Sequence, residues 1–251
     1  MIDTHCHLFD PPLDLTSVLA RLGESSLSGL VCVATYQSSW ENMIASFGQV
    51  KERLPHAFLA LGVHPWFVEQ RTPDWEEQLK VFLHGASAVG EIGLDRGPRA
   101  PSIDIQMAPF EIQMAIARDM NLPALLHVVK AHDLVLHHLK QFPRSRGIIH
   151  AFSGSPQEAR FYIDQGWFLG VGGSIARENA HRLRRIIRGI PLEALVLETD
   201  SPYMGTPGCT PGGSWPGETI EVARHLAKIR GDSLERVLEV TTGNALGIFE
   251  S

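Results

Sequence analysis

Two histidines near the amino terminus are spaced to bind one metal ion. His5 and His7 are two residues apart in an apolar segment, so on a β-strand both imidazoles lie on one face while Cys6 lies on the other. Histidine is the commonest metal ligand among side chains, and two imidazoles on one face can bind one cation. The pair by itself is equally consistent with hydrogen bonding within a protein core.

Four further side chains that can bind metals lie where other short apolar segments end. They are Glu91, His127, His150 and Asp200. Glu91 is flanked by apolar residues and glycines, where an unpaired carboxylate is costly and needs a cation or several hydrogen-bond donors. The sequence therefore places six metal-competent side chains at the ends of five segments.

The segments that must position these residues alternate between two types along the chain. Eight short segments have the continuous hydrophobicity of parallel strands buried on both faces: residues 1–7, 30–35, 57–63, 88–94, 123–129, 147–152, 167–172 and 195–199. Amphipathic patterns predict helices at residues 15–22, 40–53, 75–83, 103–120, 133–142, 156–165, 179–188 and 220–230. A long loop rich in glycine and proline is expected at residues 204–217.

This alternation predicts an α/β fold, namely a (β/α)8 TIM barrel. Eight strand and helix pairs of about 30 residues each account for the chain, which matches the roughly 250 residues typical of that fold. A doubly wound open sheet is the alternative, although no Gly-x-Gly-x-x-Gly follows a predicted strand. In a barrel the carboxyl ends of the strands form the active-site face, so the six side chains are expected to converge there.

Composition limits the functions open to the protein. With 22 basic and 28 acidic residues the formal charge is −6, so the surface as a whole should repel nucleic acid and anionic membranes, and any phosphate chemistry must be local. The hydrophobic fraction of 44% suits one large domain over residues 1–251. No apolar segment approaches the roughly 18 to 20 residues that span a bilayer. Three distant cysteines suit a reducing compartment, and we expect the cytoplasm.

Six sequence blocks resemble the TatD-related metal-dependent deoxyribonucleases of the amidohydrolase-like barrels. They are DTHCH at 3–7, GVHP at 62–65, GEIGLD at 90–95, LH at 126–127, HAFSG at 150–154 and LETDSP at 197–202. The blocks occur in the family's order, and the resemblance covers nearly the whole chain. It implies a single TatD-like hydrolase barrel with its metal site at the carboxyl ends of the strands.

The resemblance implies two divalent metal ions. One would be held by His5, His7, Glu91 and Asp200, and the other by Glu91, His127 and His150, with Glu91 bridging. Imidazole and carboxylate ligands suit zinc, manganese or iron, and they suit magnesium less well because that ion prefers oxygen and retained water. The identity of the metal stays open. Asp200, close to the attacking water, is the expected proton acceptor.

Residues near the rim are expected to contact the substrate. By the resemblance, His64 is a substrate-contacting residue that acts with Asp200 and Glu91 in catalysis. The alternative is a histidine that is hydrogen-bonded locally where a helix begins. Lys130 and His132 could reach a phosphate, or they could be simply solvated.

The predicted reaction is hydrolysis of a phosphodiester. The resemblance implies a 3′ to 5′ exodeoxyribonuclease that acts on single-stranded DNA. The alternative is a hydrolase of a small amide, lactone or phosphoester on the same barrel, because fold and metal pair do not fix the substrate. Many relatives of that kind bridge their metals with a modified lysine, so Glu91 favours the nuclease branch. A non-enzymatic binding protein is disfavoured because all six ligands remain.

The expected partners are therefore single-stranded DNA or a small phosphoester, with no membrane. The sequence leaves the oligomeric state open and is compatible with a monomer. Trp215 in the last loop could stack on a base or pack against the barrel. Arg96 stands where the family often has an aromatic residue, and the sequence indicates no role for it.

Overall fold

A computed structural model describes residues 1–209 and 213–250 of the protein. Its eight parallel strands neighbour one another in chain order: β1 (Ile2–Cys6), β2 (Gly29–Val33), β3 (His56–Leu61), β4 (Ala88–Asp95), β5 (Ala124–Val129), β6 (Gly147–Ile149), β7 (Phe168–Val171) and β8 (Leu195–Leu197). The His7 N–H donates to Ser201 O at 2.8 Å and the Asp200 N–H donates to His5 O at 2.9 Å, which joins β1 to the segment after β8. The predicted (β/α)8 barrel is confirmed.

Helices surround the barrel, and each predicted helix is present within a few residues of its expected bounds. They are α1 (Leu15–Leu22), α2 (Trp40–Lys51), α3 (Trp75–Phe82), α4 (Ile103–Asp119), α5 (His132–Leu139), α6 (Pro156–Asp164), α7 (His181–Arg188), α8 (Thr219–Arg230) and α9 (Leu234–Phe249). A short 3₁₀ helix, Pro65–Gln70, follows β3. None of the helices in the described part of the chain combines the length and the apolar character that crossing a bilayer requires.

Helix α9 lies beyond the predicted helices, although the sequence carries its signal. The hydroxyl of Ser233 caps its first turn. Its buried residues Val237, Thr241, Ala245 and Ile248 recur at helical spacing. Counting eight strand and helix pairs hides this helix, because a (β/α)8 barrel needs no helix after the eighth pair.

Helix α9 closes the amino end of the barrel. The strands contribute an apolar cluster to the barrel interior: Ile2, Val31, Val33, Phe58, Ala60, Ala88, Leu125, Ile148 and Val196. Ala245 and Ile248 of α9 belong to this cluster, and Phe249 stacks on Phe58 with the ring centroids 4.9 Å apart. Asn244 donates to two carbonyl groups at or just before the start of β8, at 3.0 and 2.7 Å. The interior is thereby sealed opposite the mouth.

Shortening a buried side chain of α9 should destabilise the fold. Ile248 is 2% exposed, so Ile248→Ala removes buried apolar surface and leaves a cavity, and we expect a loss of about 2 to 5 kcal/mol in the free energy of unfolding. Val81 in α3 is 68% exposed, and Val81→Ala should change that free energy by less than about 0.5 kcal/mol. Urea unfolding measures both. Equal stabilities of the two variants would show that α9 does not support the barrel.

Two strands shift register where the site residues begin. The β1–β2 register shifts between residues 3 and 6, and the β4–β5 register shifts between residues 89 and 92. Residues three apart point to opposite faces of a regular strand. The shifts bring His5 to the same interior as Ile2, and Glu91 to the same interior as Ala88. The interior is therefore apolar at its amino end and polar at its mouth.

The expected loop at residues 204–217 is tied down next to α8, and its residues 210–212 lie outside the described residues. The hydroxyl of Ser214 donates to Glu218 Oε2 at 3.1 Å. Trp215 packs against the hydrophobic core, and the Arg21 guanidinium lies 3.8 Å from the centroid of its ring. Of the two alternatives for Trp215, the structure shows packing on the barrel.

Candidate metal centre

The carboxylate of Glu91 lies at the barrel mouth between two sets of histidines. Its Oε2 is 3.2 Å from His5 Nε2 and 3.6 Å from His7 Nε2. Its Oε1 is 2.9 Å from His127 Nδ1 and 3.7 Å from His64 Nε2. One carboxylate therefore offers a separate oxygen to each set, which is the arrangement that a bridging ligand needs.

Asp200 faces the same histidines from the segment after β8. Its Oδ1 is 3.2 Å from His7 Nε2, 3.7 Å from His150 Nε2 and 4.0 Å from His5 Nε2. The side chains of Asp200 and His127 are 14% and 15% exposed, whereas the other ligands expected from the sequence are buried. The cluster is therefore open to solvent on the side of Asp200 and His127.

The structure brings together all six expected ligands, but it divides them differently. Donor atoms lie within 4.8 Å of one another in three groups: His5, His7 and Asp200; His5, His150 and Glu198; and His64, Glu91 and His127. The resemblance pairs His150 with His127, whereas here the ring of His150 stacks on His5 at 3.6 Å. Because His150 also faces Asp200, the two expected sites meet at Asp200 as well as at Glu91.

Three of these histidines turn one ring nitrogen outward to an acceptor. Nδ1 of His7 lies 3.0 Å from Val33 O, and Nε2 of His127 lies 3.0 Å from Asp95 Oδ2. Nδ1 of His150 lies 3.1 Å from Glu198 Oε2 but without the alignment of a hydrogen bond. An acceptor there favours a proton on the outer nitrogen of His7 and His127, so a metal that displaces the inner proton would meet a lone pair pointing into the cluster. Without a metal, the inner protons take the place of the cation, in line with the raised pKa values of these two histidines. This donor set therefore fits a divalent metal.

Asp95 and Glu198 are site residues that the sequence prediction missed. Glu198 is fully buried and accepts a backbone N–H at 2.6 Å, while Asp95 accepts the indole N–H of Trp66 at 2.7 Å. A signal for both exists in the sequence. Asp95 is four residues from Glu91 and Glu198 is two residues from Asp200, and an even spacing on an extended chain places side chains on one face.

The carboxylates and histidines of the mouth stabilise each other's charge. Burial would raise the pKa of Glu91 and of Asp200, but neighbouring histidines outweigh burial and hold both pKa values low. Burial would lower the pKa of His127 and of His150, but the carboxylates around them raise these pKa values to about 9 and about 10. The mouth therefore favours positive charge at neutral pH.

His64 has the geometry of a hydrogen-bond donor toward the cluster. It begins the 3₁₀ helix Pro65–Gln70, where its Nδ1 accepts the Trp66 N–H at 3.1 Å. Burial lowers the pKa of His64 to about 3, so the ring is neutral and carries its proton on Nε2, 3.7 Å from Glu91 Oε1. His64 is thus bonded locally where a helix begins and also lies beside the cluster, and its contact with substrate stays a prediction.

Lys130 and His132 are placed differently from each other. Lys130 is exposed, and its carbonyl accepts a bond from Arg96, whose guanidinium binds Asp133 at 2.7 and 3.1 Å. His132 is 8% exposed, and its Nδ1 lies 3.1 Å from the hydroxyl of Tyr162 in α6. The ring of His132 is used in packing α5 against α6, so we withdraw it from the expected substrate contacts.

Comparison with known proteins assigns the family. The family model for TatD related DNase matches residues 2–250. The chain belongs to the TatD-related DNase family. It is 32% identical to the uncharacterized metal-dependent hydrolase YjjV of Escherichia coli K12, over 99% of this chain and 97% of that protein. It is 31% identical to the deoxyribonuclease TATDN3 of Homo sapiens, over 99% of this chain and 94% of that protein.

Solved structures agree with this assignment. The crystal structure of YjjV, a TatD homologue from Escherichia coli K12, superposes with a TM-score of 0.91 at 31% identity, over 100% of this chain and 98% of that chain. A TatD family hydrolase from Entamoeba histolytica shares the fold, with a TM-score of 0.86 at 20% identity, over 99% and 97% of the two chains. This TatD family member is a metal-dependent hydrolase, and its buried cluster of histidines and carboxylates suits metal ions.

Asp95 and Glu198, the carboxylates that face His127 and His150 from outside the cluster, should strengthen metal binding. Asp95→Asn and Glu198→Gln remove the negative charges that face His127 and His150, and we expect each change to weaken metal binding by about 10- to 100-fold. Asp133→Asn is the matched control, because its side chain is 64% exposed. Titration of the metal-free protein with zinc against a chelator measures the three affinities. Unchanged affinity in Asp95→Asn and Glu198→Gln would refute the orienting role of these carboxylates.

Proposed function

We propose that the protein hydrolyses phosphodiester bonds with two divalent metal ions, as a 3′ to 5′ exodeoxyribonuclease acting on single-stranded DNA. The observation that carries the proposal is the placement of Glu91, whose two oxygens face different sets of histidines. Two ions on either side of such a bridge can clamp an in-line displacement at phosphorus. The similarity to the human deoxyribonuclease TATDN3 supports DNA as the substrate class.

The proposed ligands divide between two ions. His5, His7, Glu91 and Asp200 would hold the first. Glu91 and His127 would hold the second, together with His150, which in this structure lies against His5 and Asp200. The mixture of imidazole and carboxylate suits zinc, manganese or iron better than magnesium. The charge of two divalent ions would be offset by Glu91 and Asp200 and, from outside the ligand set, by Asp95 and Glu198. A phosphodiester would be attracted at short range by the ions themselves, although the formal charge of the chain is −6.

The protein's own residues would contribute proton transfer and orientation. When bound, the two ions supply the positive charge that activates water and stabilises the leaving oxygen. Asp200 accepts the proton of the attacking water, because its carboxylate is ionised and lies on the open side of the cluster. His64 would donate a hydrogen bond from its Nε2–H to a phosphate oxygen, because its Nδ1 already accepts a backbone N–H.

The substrate enters as a strand end in this proposal. A barrel mouth admits a single strand more readily than a duplex, whose bases would have to be separated before a phosphodiester reached the cluster. Lys130 is exposed just after β5, where it could neutralise a neighbouring phosphate. The contact with the strand is expected to involve few phosphates, because the chain is acidic overall.

Strand topology tests the exonuclease assignment. Circular single-stranded DNA should resist the metal-loaded protein, whereas the same molecule, once linearised, should be shortened from its 3′ terminus. A blocked 3′ hydroxyl should slow the reaction. Efficient cutting of the circle would exclude an exonuclease while keeping the phosphodiesterase. Hydrolysis of a chromogenic amide, lactone or small phosphoester without cleavage of either DNA would instead select the alternative substrate class.

The cytoplasm and a monomer are compatible with this function. Cys6 and Cys32 are free thiols buried in β1 and β2, and Cys209 is also free, which suits the reducing compartment that we propose. All residues of the cluster come from one chain, so a monomer contains the whole described site.

A further inference from the structure

Two exposed aromatic side chains contact the cluster at the mouth. Trp66 is 37% exposed and Tyr203 is 54% exposed. The ring centroid of Trp66 lies 5.2 Å from that of His64, and the ring centroid of Tyr203 lies 5.5 Å from that of His7. In the described part of the chain, the other large hydrophobic side chains exposed to this degree are aliphatic. The exposed aromatic surface is thus concentrated at the site.

Each of these rings is fixed by its polar end. The Trp66 indole N–H donates to Asp95 Oδ2 at 2.7 Å, and the Tyr203 hydroxyl donates to Asp10 Oδ2 at 2.9 Å. The Arg99 guanidinium lies 5.8 Å from the centroid of the Trp66 ring, and the exposed fraction of Trp66 is 37% with that arginine in place. The two rings are therefore held in place by their polar ends while part of each stays open to solvent.

The two rings lie beside different sets of histidines around Glu91. Trp66 is beside His64 and also lies 6.4 Å from His127, which are the histidines facing Oε1. Tyr203 is beside His7, which faces Oε2. A phosphodiester held between the two sets would therefore have an aromatic ring near each of them.

We propose that Trp66 and Tyr203 form a base-stacking site that takes two consecutive nucleobases, one on each side of the scissile phosphate. The proposal rests on the phosphodiesterase function and adds the substrate's bases to it. Stacking tolerates any base, because every base has an aromatic face. The smallest good substrate is then a dinucleotide unit of a single strand, and a small phosphoester without bases is a poor one.

Abasic strands test this site. Three thymidine oligonucleotides are compared, one intact, one with a tetrahydrofuran abasic residue at the 3′ end and one with that residue at the penultimate position. The metal-loaded wild type should cleave the terminal bond of the intact strand with a kcat/KM about 5- to 100-fold above that for either abasic strand. Trp66→Leu should lose the preference at one position, and Tyr203→Leu should lose it at the other.

The preference is the ratio of kcat/KM for the intact strand to kcat/KM for an abasic strand, measured on the same variant. A general loss of activity therefore cancels. Trp66→Phe and Tyr203→Phe keep a ring and should keep both preferences, although each loses its bond to a carboxylate. Ile105→Ala is the matched control, since Ile105 is 43% exposed in α4. Equal cleavage of intact and abasic strands by the wild type would overturn base stacking while leaving the phosphodiesterase intact. If no strand is cleaved, the proposed function fails and this inference fails with it.

Discussion

If the protein is the two-metal phosphodiesterase that we propose, Glu91→Gln should reduce bound metal from two ions per chain to less than one and lower phosphodiester hydrolysis by more than about 100-fold. We expect a larger loss of metal than in Asp95→Asn or Glu198→Gln, because the two carboxylate oxygens of Glu91 face different sets of histidines. Glutamine offers one oxygen, and its NH₂ group turns donors toward the second set. Elemental analysis of purified variant and wild type measures the metal, and hydrolysis of linear single-stranded DNA measures the activity.

A matched substitution separates this effect from a general change of charge. Glu239 is exposed in α9, far along the chain from the site residues, and Glu239→Gln should keep the metal content and activity of the wild type. Because Glu91 is 3% exposed, circular dichroism must first show that Glu91→Gln is folded. A folded variant that still holds two ions would refute the bridging role of Glu91.

Asp200→Asn should separate proton transfer from metal binding. Asparagine keeps one oxygen near His5 and His7 but cannot accept a proton, so we expect the variant to retain at least one ion while kcat falls by about 10²- to 10⁴-fold. Elemental analysis and single-turnover cleavage of a labelled strand give the two quantities. Glu91→Gln, by contrast, is expected to lose both together.

The control for this second substitution is an exposed aspartate. The side chain of Asp119 is 64% exposed, and Asp119→Asn should behave as the wild type in both measurements. Turnover near the wild-type rate in Asp200→Asn would move the proton acceptor to another group. Complete loss of metal from Asp200→Asn would support Asp200 as a ligand and would give no support to its role as the proton acceptor.

The barrel and the meeting of the six expected ligands were predictable from the sequence for a physical reason. Strands buried on both faces leave continuous apolar segments such as β5, and a barrel gathers the ends of all its strands at one mouth. The meeting of His127, His150 and Asp200 could therefore be predicted without knowing which strands pair with each other. Helix α9 could also have been found, because its buried residues recur at helical spacing.

The contacts around the ligands were less accessible, because they depend on which face each side chain takes after the chain has packed. The register shifts in β1 and β4 determine that His5 and Glu91 point inward, and a regular strand pattern does not contain them. The ring of His150 stacks on the ring of His5, although the two residues are 145 positions apart in the sequence. Trp66 gives no signal of its role until its ring is seen beside His64.

The positions of the ions test the central claim most directly. Crystals of the wild type grown with manganese give an anomalous difference map, which locates each ion without reference to activity. We expect two peaks about 3.5 to 4 Å apart, one on the His5 and His7 side of Glu91 and one on its His127 side. A single peak, or two peaks that do not share Glu91, would contradict a two-metal site bridged by this carboxylate.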